Sequence, residues 1–285
     1  MTHDLKGGAA FAVAAAAAFA AMGAMIKFAA ADLPNTVVVF LRNGFGLLML
    51  APWLLRPGLR GLATRRPLAH LLRAAVGLSA MYCFFYAIAH LHLANAVLFN
   101  YSQPLFIPFI AWLWLSEKPP ARLFPAVAIG FAGVALILKP DTGLVSPAGL
   151  VGLASGLLAA TAMVAIRRMA DTEPTTRIVF YFTVFGTLIS AAPAAVTWQW
   201  PGRDAWLAMA AAGAFATAGQ LLLTRAYTLA PAAHVGSLIY AAVVFAAGFG
   251  WLFWGEVPDA LDALGTALVI LAGVIVVFAR RRQDK

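Results

Sequence analysis

Long apolar runs separated by short polar breaks set the rhythm of this chain, without the alternation over about ten residues that membrane-barrel strands show. A stretch such as AAFAVAAAAAFAAMGAM is continuously apolar and rich in alanine, the best helix former. One bilayer crossing needs about 20 apolar residues of helix. That ruler fits ten times: Gly7–Ala30, Leu33–Leu55, Leu68–Ala89, Ala94–Leu115, Ala121–Leu138, Pro147–Ile166, Thr176–Trp198, Ala205–Leu229, Ala232–Trp254 and Leu261–Ala279. All 8 tryptophans fall near segment ends, where an amphipathic ring sits at headgroup level. The first segment is longer than a signal-peptide core and shows no convincing cleavage site, so it is expected to be a retained helix.

Composition agrees, with 63% of residues apolar and 11% charged. The expected fold class is an all-α integral membrane protein. A basic balance of +9 would suit a nucleic-acid partner if the charges formed a patch. They do not. With the N-terminus inside, all but four of the 20 Lys and Arg residues fall on the inner side, the exceptions being Lys27, Lys139 and Arg203 outside and Arg42 within the membrane. The basic excess is a topology signal: it places both termini in the cytoplasm, makes the lipid bilayer the partner, and calls for no nucleic acid. A single cysteine, Cys83, allows no intrachain disulfide and no thiol-rich metal site. Heavy use of Ala, and of Arg over Lys, points to a high-GC bacterial proteome and hence to a bacterial inner membrane.

Comparing the chain with itself gives more. NYSQPLFIPFIAWLWLSEKP, from Asn100, aligns without a gap with IYAAVVFAAGFGWLFWGEVP, from Ile239. Tyr101 meets Tyr240, Trp112 meets Trp251, Glu117 meets Glu256 and Pro119 meets Pro258. One position further offset, Lys27 meets Arg167, Pro34 meets Pro174, Phe40 meets Phe180 and Gly46 meets Gly186. Two homologous halves, 1–142 and 143–285, follow. Each half holds five segments, and an odd number sets the second half across the membrane in the opposite sense. Inverted repeats are a recurrent plan of secondary transporters, because two related halves can rock about a shared site. The plainer alternative is a duplication that merely built a stable bundle.

These features carry a family resemblance. The Arg of VVFLRNGFGLL, the passage FFYAIAHLHLANAVLFNYSQPLF, the paired W-x-x-x-x-E-x-P endings at Trp112 and Trp251, and Gly130, Gly133 and Val134 together resemble the EamA branch of the drug/metabolite transporter superfamily. The likeness covers nearly the whole chain. It implies a transporter of small metabolites, a family whose cargoes include amino acids, riboflavin, S-adenosylmethionine, purines and metallophores. Within it the chain looks most like the riboflavin or S-adenosylmethionine uptake branch, with the amino-acid exporters close.

Arg42 lies roughly 12 Å along its segment, too deep to snorkel comfortably. No Asp or Glu occurs at that depth in any segment. Two readings stay open: its planar fork holds an anionic group of the cargo, or it donates to carbonyls freed where Pro104 or Pro108 interrupts segment four. Other polar groups cluster. Ser79, Tyr82 and Tyr86 share one face of segment three, and Thr217, Gln220 and Thr224 share one of segment eight. Asn100 and Gln103 are neighbours on segment four, with Tyr101 around the wheel, and Ser237 and Tyr240 pair on segment nine. Tyr101 and Tyr240 lie about 10 Å inside opposite surfaces, so the candidate substrate-binding set is Arg42, Ser79, Tyr82, Tyr86, Asn100, Tyr101, Gln103, Thr217, Gln220, Ser237 and Tyr240. Aromatic walls with a few amides and hydroxyls suit a zwitterionic or heteroaromatic metabolite. Against this, tyrosines in membrane bundles often only bond a neighbouring helix. His90, His92 and His234 sit at segment ends, where a cap or interface role competes with proton carriage. Gly149, Gly152 and Gly156, with the alanines of segment one, allow close helix approach.

Without a mid-depth carboxylate, facilitated diffusion or exchange is expected, with uptake of purine-like compounds and proton-coupled metabolite or drug export as alternatives. A membrane-embedded enzyme is the rival of another class, but the chain lacks H-E-x-x-H, paired mid-membrane aspartates and G-x-S-x-G. No catalytic residue, cofactor or resident metal is called for. Both halves being present, a monomer suffices, and a homodimer is compatible.

Overall fold

The computed structural model describes residues 5–54, 62–116, 121, 123–138, 146–169, 172–229, 235 and 238–281. Among them every element is helical: α1 (Leu5–Ala29), α2 (Asn35–Leu54), α3 (Pro67–His90), α4 (Leu93–Asn100), α5 (Gln103–Leu115), α6 (Leu123–Leu138), α7 (Pro147–Met169), α8 (Thr175–Val196) and α9 (Arg203–Leu229). Two more follow, α10 (Ala241–Trp254) and α11 (Ala260–Arg281). Seven stretches are long and apolar enough to cross a membrane, one of them running from Leu93 to Trp114 through α4 and α5. Shorter apolar helices at Phe124–Ile137, Ala241–Trp254 and Ala260–Ile275 fall on the fifth, ninth and tenth expected segments.

The crossing expected at segment four is present, and it is interrupted, as its prolines suggested. Segment four is not a single helix: α4 ends at Tyr101, Ser102 turns, and α5 restarts at Gln103. Pro104, in the first turn of α5, has no N–H to give to a continuing ladder, which makes it a poor helix interior and a good helix start. Ser102 Oγ donates to the Phe99 carbonyl at 2.6 Å, satisfying one acceptor left over by the break. Segment nine behaves alike, because Ile239 and Tyr240 form a turn immediately before α10.

Helix neighbours obey the repeat. The main packing pairs are α1 with α9 and α10, α3 with α7 and α8, α7 with α4 and α5, α2 with α8 and α9, and α6 with α11. Exchanging α1 for α7, α2 for α8, α3 for α9, α4–α5 for α10 and α6 for α11 maps these pairs onto one another. Backbone detail follows the same rule. Ser116 after α5 and Gly255 after α10 are matched positions, and both adopt the left-handed conformation, φ 58° and φ 64°, that closes a helix C-terminus.

Small residues let the backbones meet. On α6 and α11, a Cβ added at Gly133 would lie 2.6 Å from the Gly265 carbonyl oxygen, and one at Gly265 would lie 2.6 Å from that of Gly133. The core is one large cluster drawn from both halves, including Ile26, Val37, Ile88, Phe99, Met209 and Val243. Large apolar side chains such as Leu68, Leu113, Leu188, Leu207 and Val244 stay exposed on the bundle, as a lipid-facing surface requires.

Candidate functional site

The broken helices position the candidate residues. At the first break, Asn100 Nδ2 donates to Ser155 Oγ of α7 at 3.3 Å, and Ser155 Oγ donates to the Gly152 carbonyl at 2.6 Å. Gly156 gives the break its seat, since a Cβ there would run into the Phe99 carbonyl oxygen and Ser102 Oγ. Tyr101 caps α4 and packs against the large core, as does Tyr82 of α3, while Gln103 opens α5. At the second break Tyr240 is 3% exposed. Its hydroxyl abuts Gly273 of α11 and has no hydrogen-bond partner among the described residues.

The remaining members scatter more than their helical spacing suggested. Tyr82 and Thr217 bury hydroxyl oxygens that lack partners among the described residues. Tyr86 stacks on His90 at 4.1 Å, one turn on, at the end of α3. Ser79 and Gln220 are exposed, and the Gln220 carbonyl accepts from Thr224 at 2.8 Å. Ser237, like His234 and Glu117, lies outside the described residues. Arg42 donates through Nη1 to Asn43 Oδ1 at 3.2 Å, and its Nε is buried without a partner among the described residues. No bond joins it to the carbonyls near Pro104 or Pro108 in that set, so the backbone-donor reading of Arg42 is not what the structure displays.

Two charge clusters lie at opposite ends of α3. Beyond its C-terminus, Lys27 of α1 pairs with Glu256, donates to the Leu91 carbonyl at 2.7 Å, and sits 5.3 Å from the Trp254 ring. The second carboxylate oxygen of Glu256 accepts the Leu93 N–H at 2.7 Å, at the start of α4. Asn95 donates to Asp262 at 3.4 Å beside it, and an open cavity of about 450 Å³ lies among these groups.

At the other end, Glu173 is buried in the turn between α7 and α8. It accepts from Thr64 at 2.7 Å and Arg177 at 2.8 Å, with His70 Nε2 at 3.4 Å. Burial pushes its carboxyl up, but Arg177, Thr64 and His70 outweigh that and hold it below its ordinary value. His70 in turn stacks on Tyr181 at 4.5 Å, and Tyr181 donates to the Leu62 carbonyl at 3.1 Å.

The sequence reading missed three participants. Asn43 is buried beside Arg42, and its Nδ2 has no partner among the described residues. Arg73 is buried, with its guanidinium 3.8 Å from the Phe182 ring. The pairing of Lys27 with Glu256 spans 229 positions. A signal for Arg73 existed: it stands four residues before a glycine, as Arg42 does. Among the described residues no group of three or more His, Cys, Asp or Glu side chains is placed to hold a metal ion.

Comparison with known proteins bears on what this arrangement does. A model of the EamA-like transporter family matches residues 6–139 and, a second time, residues 146–279. The chain is 35% identical over 276 residues to the pseudopaline exporter of Pseudomonas aeruginosa, covering 94% of this chain and 95% of that one. It is 26% identical over 275 residues to the riboflavin transporter of Vibrio cholerae, covering 95% and 92%. It is 22% identical over 258 residues to the S-adenosylmethionine uptake transporter of Rickettsia bellii, covering 90% and 89%. A solved crystal structure superposes with a TM-score of 0.66 at 21% identity, over 98% of this chain and 99% of that one, and has the same fold.

Proposed function

Because the chain belongs to the EamA-like transporter family, we propose that it carries a small metabolite across the bacterial inner membrane by alternating access of two inverted halves, residues 1–142 and 143–285. It is a multi-pass membrane transporter of small metabolites, not an enzyme. The finer reading is ten crossings with both termini in the cytoplasm, one central site per chain, and an amino acid or related zwitterionic or heteroaromatic cargo moved by facilitated diffusion or exchange.

The observation that carries this is the pair of matched helix breaks, at Tyr101–Ser102 and at Ile239–Tyr240. Interrupted helices in corresponding positions of two repeats are the best sequence-level pointer to a transporter's site. Asn100, Tyr101 and Gln103 would approach the cargo from one break and Ser237 and Tyr240 from the other, with Tyr82, Tyr86 and Ser79 of α3 and Thr217 and Gln220 of α9 between. The charge clusters at the two ends of α3 join residues of opposite halves. On this reading each cluster closes one side while the other opens.

Counterflow on the purified protein in liposomes, with neutral amino acids, riboflavin, S-adenosylmethionine and purines, tests the reading. Exchange of one class is the expected result. Flux that follows an imposed pH gradient at fixed membrane potential would replace facilitated exchange with proton coupling. A second reading, export of a compound of the pseudopaline type, is favoured by the 35% identity to that exporter, and the same liposomes loaded with pseudopaline test it.

A further inference from the structure

Two arginines share one local pattern. Arg42 opens RNGFG and Arg73 opens RAAVG, so each has a glycine one helical turn further along the same face. Long side chains on a helix ordinarily lie back over the preceding turn. For Arg73, about 9 Å into α3, that direction leads out to the nearer membrane surface. The guanidinium goes the other way. A Cβ at Gly77 would meet Arg73 Nη1 at 2.5 Å and Cζ at 3.5 Å, so the charge is laid over the next turn inward. Arg42 Nη1 likewise lies 3.9 Å from the Cβ position of Gly46, deeper along α2.

Helix register sets the two at one level. Asn35 Nδ2 donates to the Tyr82 carbonyl at 2.9 Å, which sets the start of α2 against the far half of α3. Seven residues along α2 from Asn35 is Arg42, and seven residues back along α3 from Tyr82 is Ala75. Arg42 therefore comes level with the stretch from Arg73 to Gly77. The third wall is α8. Its Phe182 ring lies 3.8 Å from the Arg73 guanidinium, and Gly186, one turn on, has its Cβ position 3.8 Å from Asn43, the residue that holds Arg42.

Neither guanidinium is ion-paired among the described residues. Arg73 is 8% exposed, and its Nε and Nη1, with the Nε of Arg42, lack any hydrogen-bond partner in that set. An unpaired cation at this depth is costly, and two at one level repel each other as well. The face of Phe182 offsets part of the cost at Arg73 but supplies no acceptor. One oxyanion between the helices relieves both, because a guanidinium presents two parallel N–H groups to a carboxylate.

We infer that Arg42 and Arg73, with Asn43, form a paired-guanidinium site between α2, α3 and α8 that binds a carboxylate of the transported metabolite. The inference rests on the transporter reading and deepens it, assigning the cargo an acidic group and the first half of the chain its recognition. The matched positions of the second half hold Phe182 and Gly213, so the site exists once per chain.

The test is equilibrium binding to the full-length purified protein at fixed ionic strength, followed by thermal shift, with succinate and glutarate as probes and succinamide and glutaramide, which carry no carboxylate, as their uncharged counterparts. Saturable binding of at least one carboxylate, weaker for its amide, is expected. Arg73→Gln should weaken it about tenfold or more, and Arg73→Lys by less, since the charge stays while the fork is lost. If Arg73→Gln does not give folded protein by gel filtration, Arg73→Lys and Phe182→Leu carry the comparison. Absence of saturable carboxylate binding, equal binding of the amides, or affinity unchanged in the arginine variants overturns the site. Counterflow on the same preparations separates the two ideas. Carboxylates that bind while nothing exchanges leave the site and remove the transporter reading; exchange that is equally fast in Arg73→Gln does the reverse.

Discussion

At one end of α3 a single carboxylate, Glu256, ties Lys27 of α1 to the start of α4, whereas at the other Glu173 shares its load among Thr64, His70 and Arg177. Both clusters join residues from the two halves. They differ in how failure spreads. Removing one partner of the first leaves the other charge with a backbone group alone, the Leu91 carbonyl for Lys27 or the Leu93 N–H for Glu256; removing one partner of the second leaves other side chains in place. A closure resting on one pair releases in one step, while a distributed one loosens by degrees.

The sharpest way to break this comparison is Lys27→Met. Breaking a buried pair from one side should cost about 3 kcal/mol or more of stability, read as a lowered unfolding midpoint in detergent. The double variant Lys27→Met with Glu256→Gln should recover most of the loss. If the single variant costs no more than the double, Glu256 is not the sole anchor and the contrast falls. Next in size is Glu173→Gln, expected to cost about 1–2 kcal/mol because neutral hydrogen bonds to Thr64 and Arg177 survive.

The same variant sharpens the comparison through pH. Folding holds Glu173 below its ordinary 4.5, so its contribution is full above that value and is lost as the pH falls through the folded-state value. Wild type should therefore lose stability on acidification below about pH 4.5, with a slope that Glu173→Gln reduces; equal slopes would remove Glu173 as the source. Smallest of all should be Arg66→Ala. The Arg66 side chain is exposed and, among the described residues, donates to Thr172 at 3.0 Å, so its removal should change stability by no more than about 0.5 kcal/mol.

Much of the fold was legible because lipid imposes one strong rule on sequence: about 20 apolar residues per crossing. The all-helical membrane class and the seven long apolar spans follow from it, and the internal repeat was legible separately, in the aligned Tyr101 and Tyr240 stretches. The interruption of segment four was legible in Pro104 and Pro108, but its exact place was not, because hydropathy is blind to whether a backbone ladder continues. Arg42 stood out as a charge in an apolar run. Arg73, only a few residues from the basic loop, was counted with the inner charges, and its inward turn depends on Gly77 and Phe182, one of them on another helix. The spacing of Ser79, Tyr82 and Tyr86 gave a shared face but not what covers it, and Ser79 proved exposed. Lys27 and Glu256 carry opposite charges at matched depths, yet nothing local to either names the other.

Glu256 does more than pair with Lys27. No side chain of the preceding turn caps α4, and the Leu93 N–H at its start is bonded by a carboxylate 163 positions later. During synthesis the fourth segment enters the membrane long before that carboxylate leaves the ribosome. The first half must therefore wait, inserted but uncapped at this point, until the ninth segment arrives. This contact of the early helices is finished from the late end of the chain, and a truncation before Glu256 would leave the Leu93 N–H without that partner.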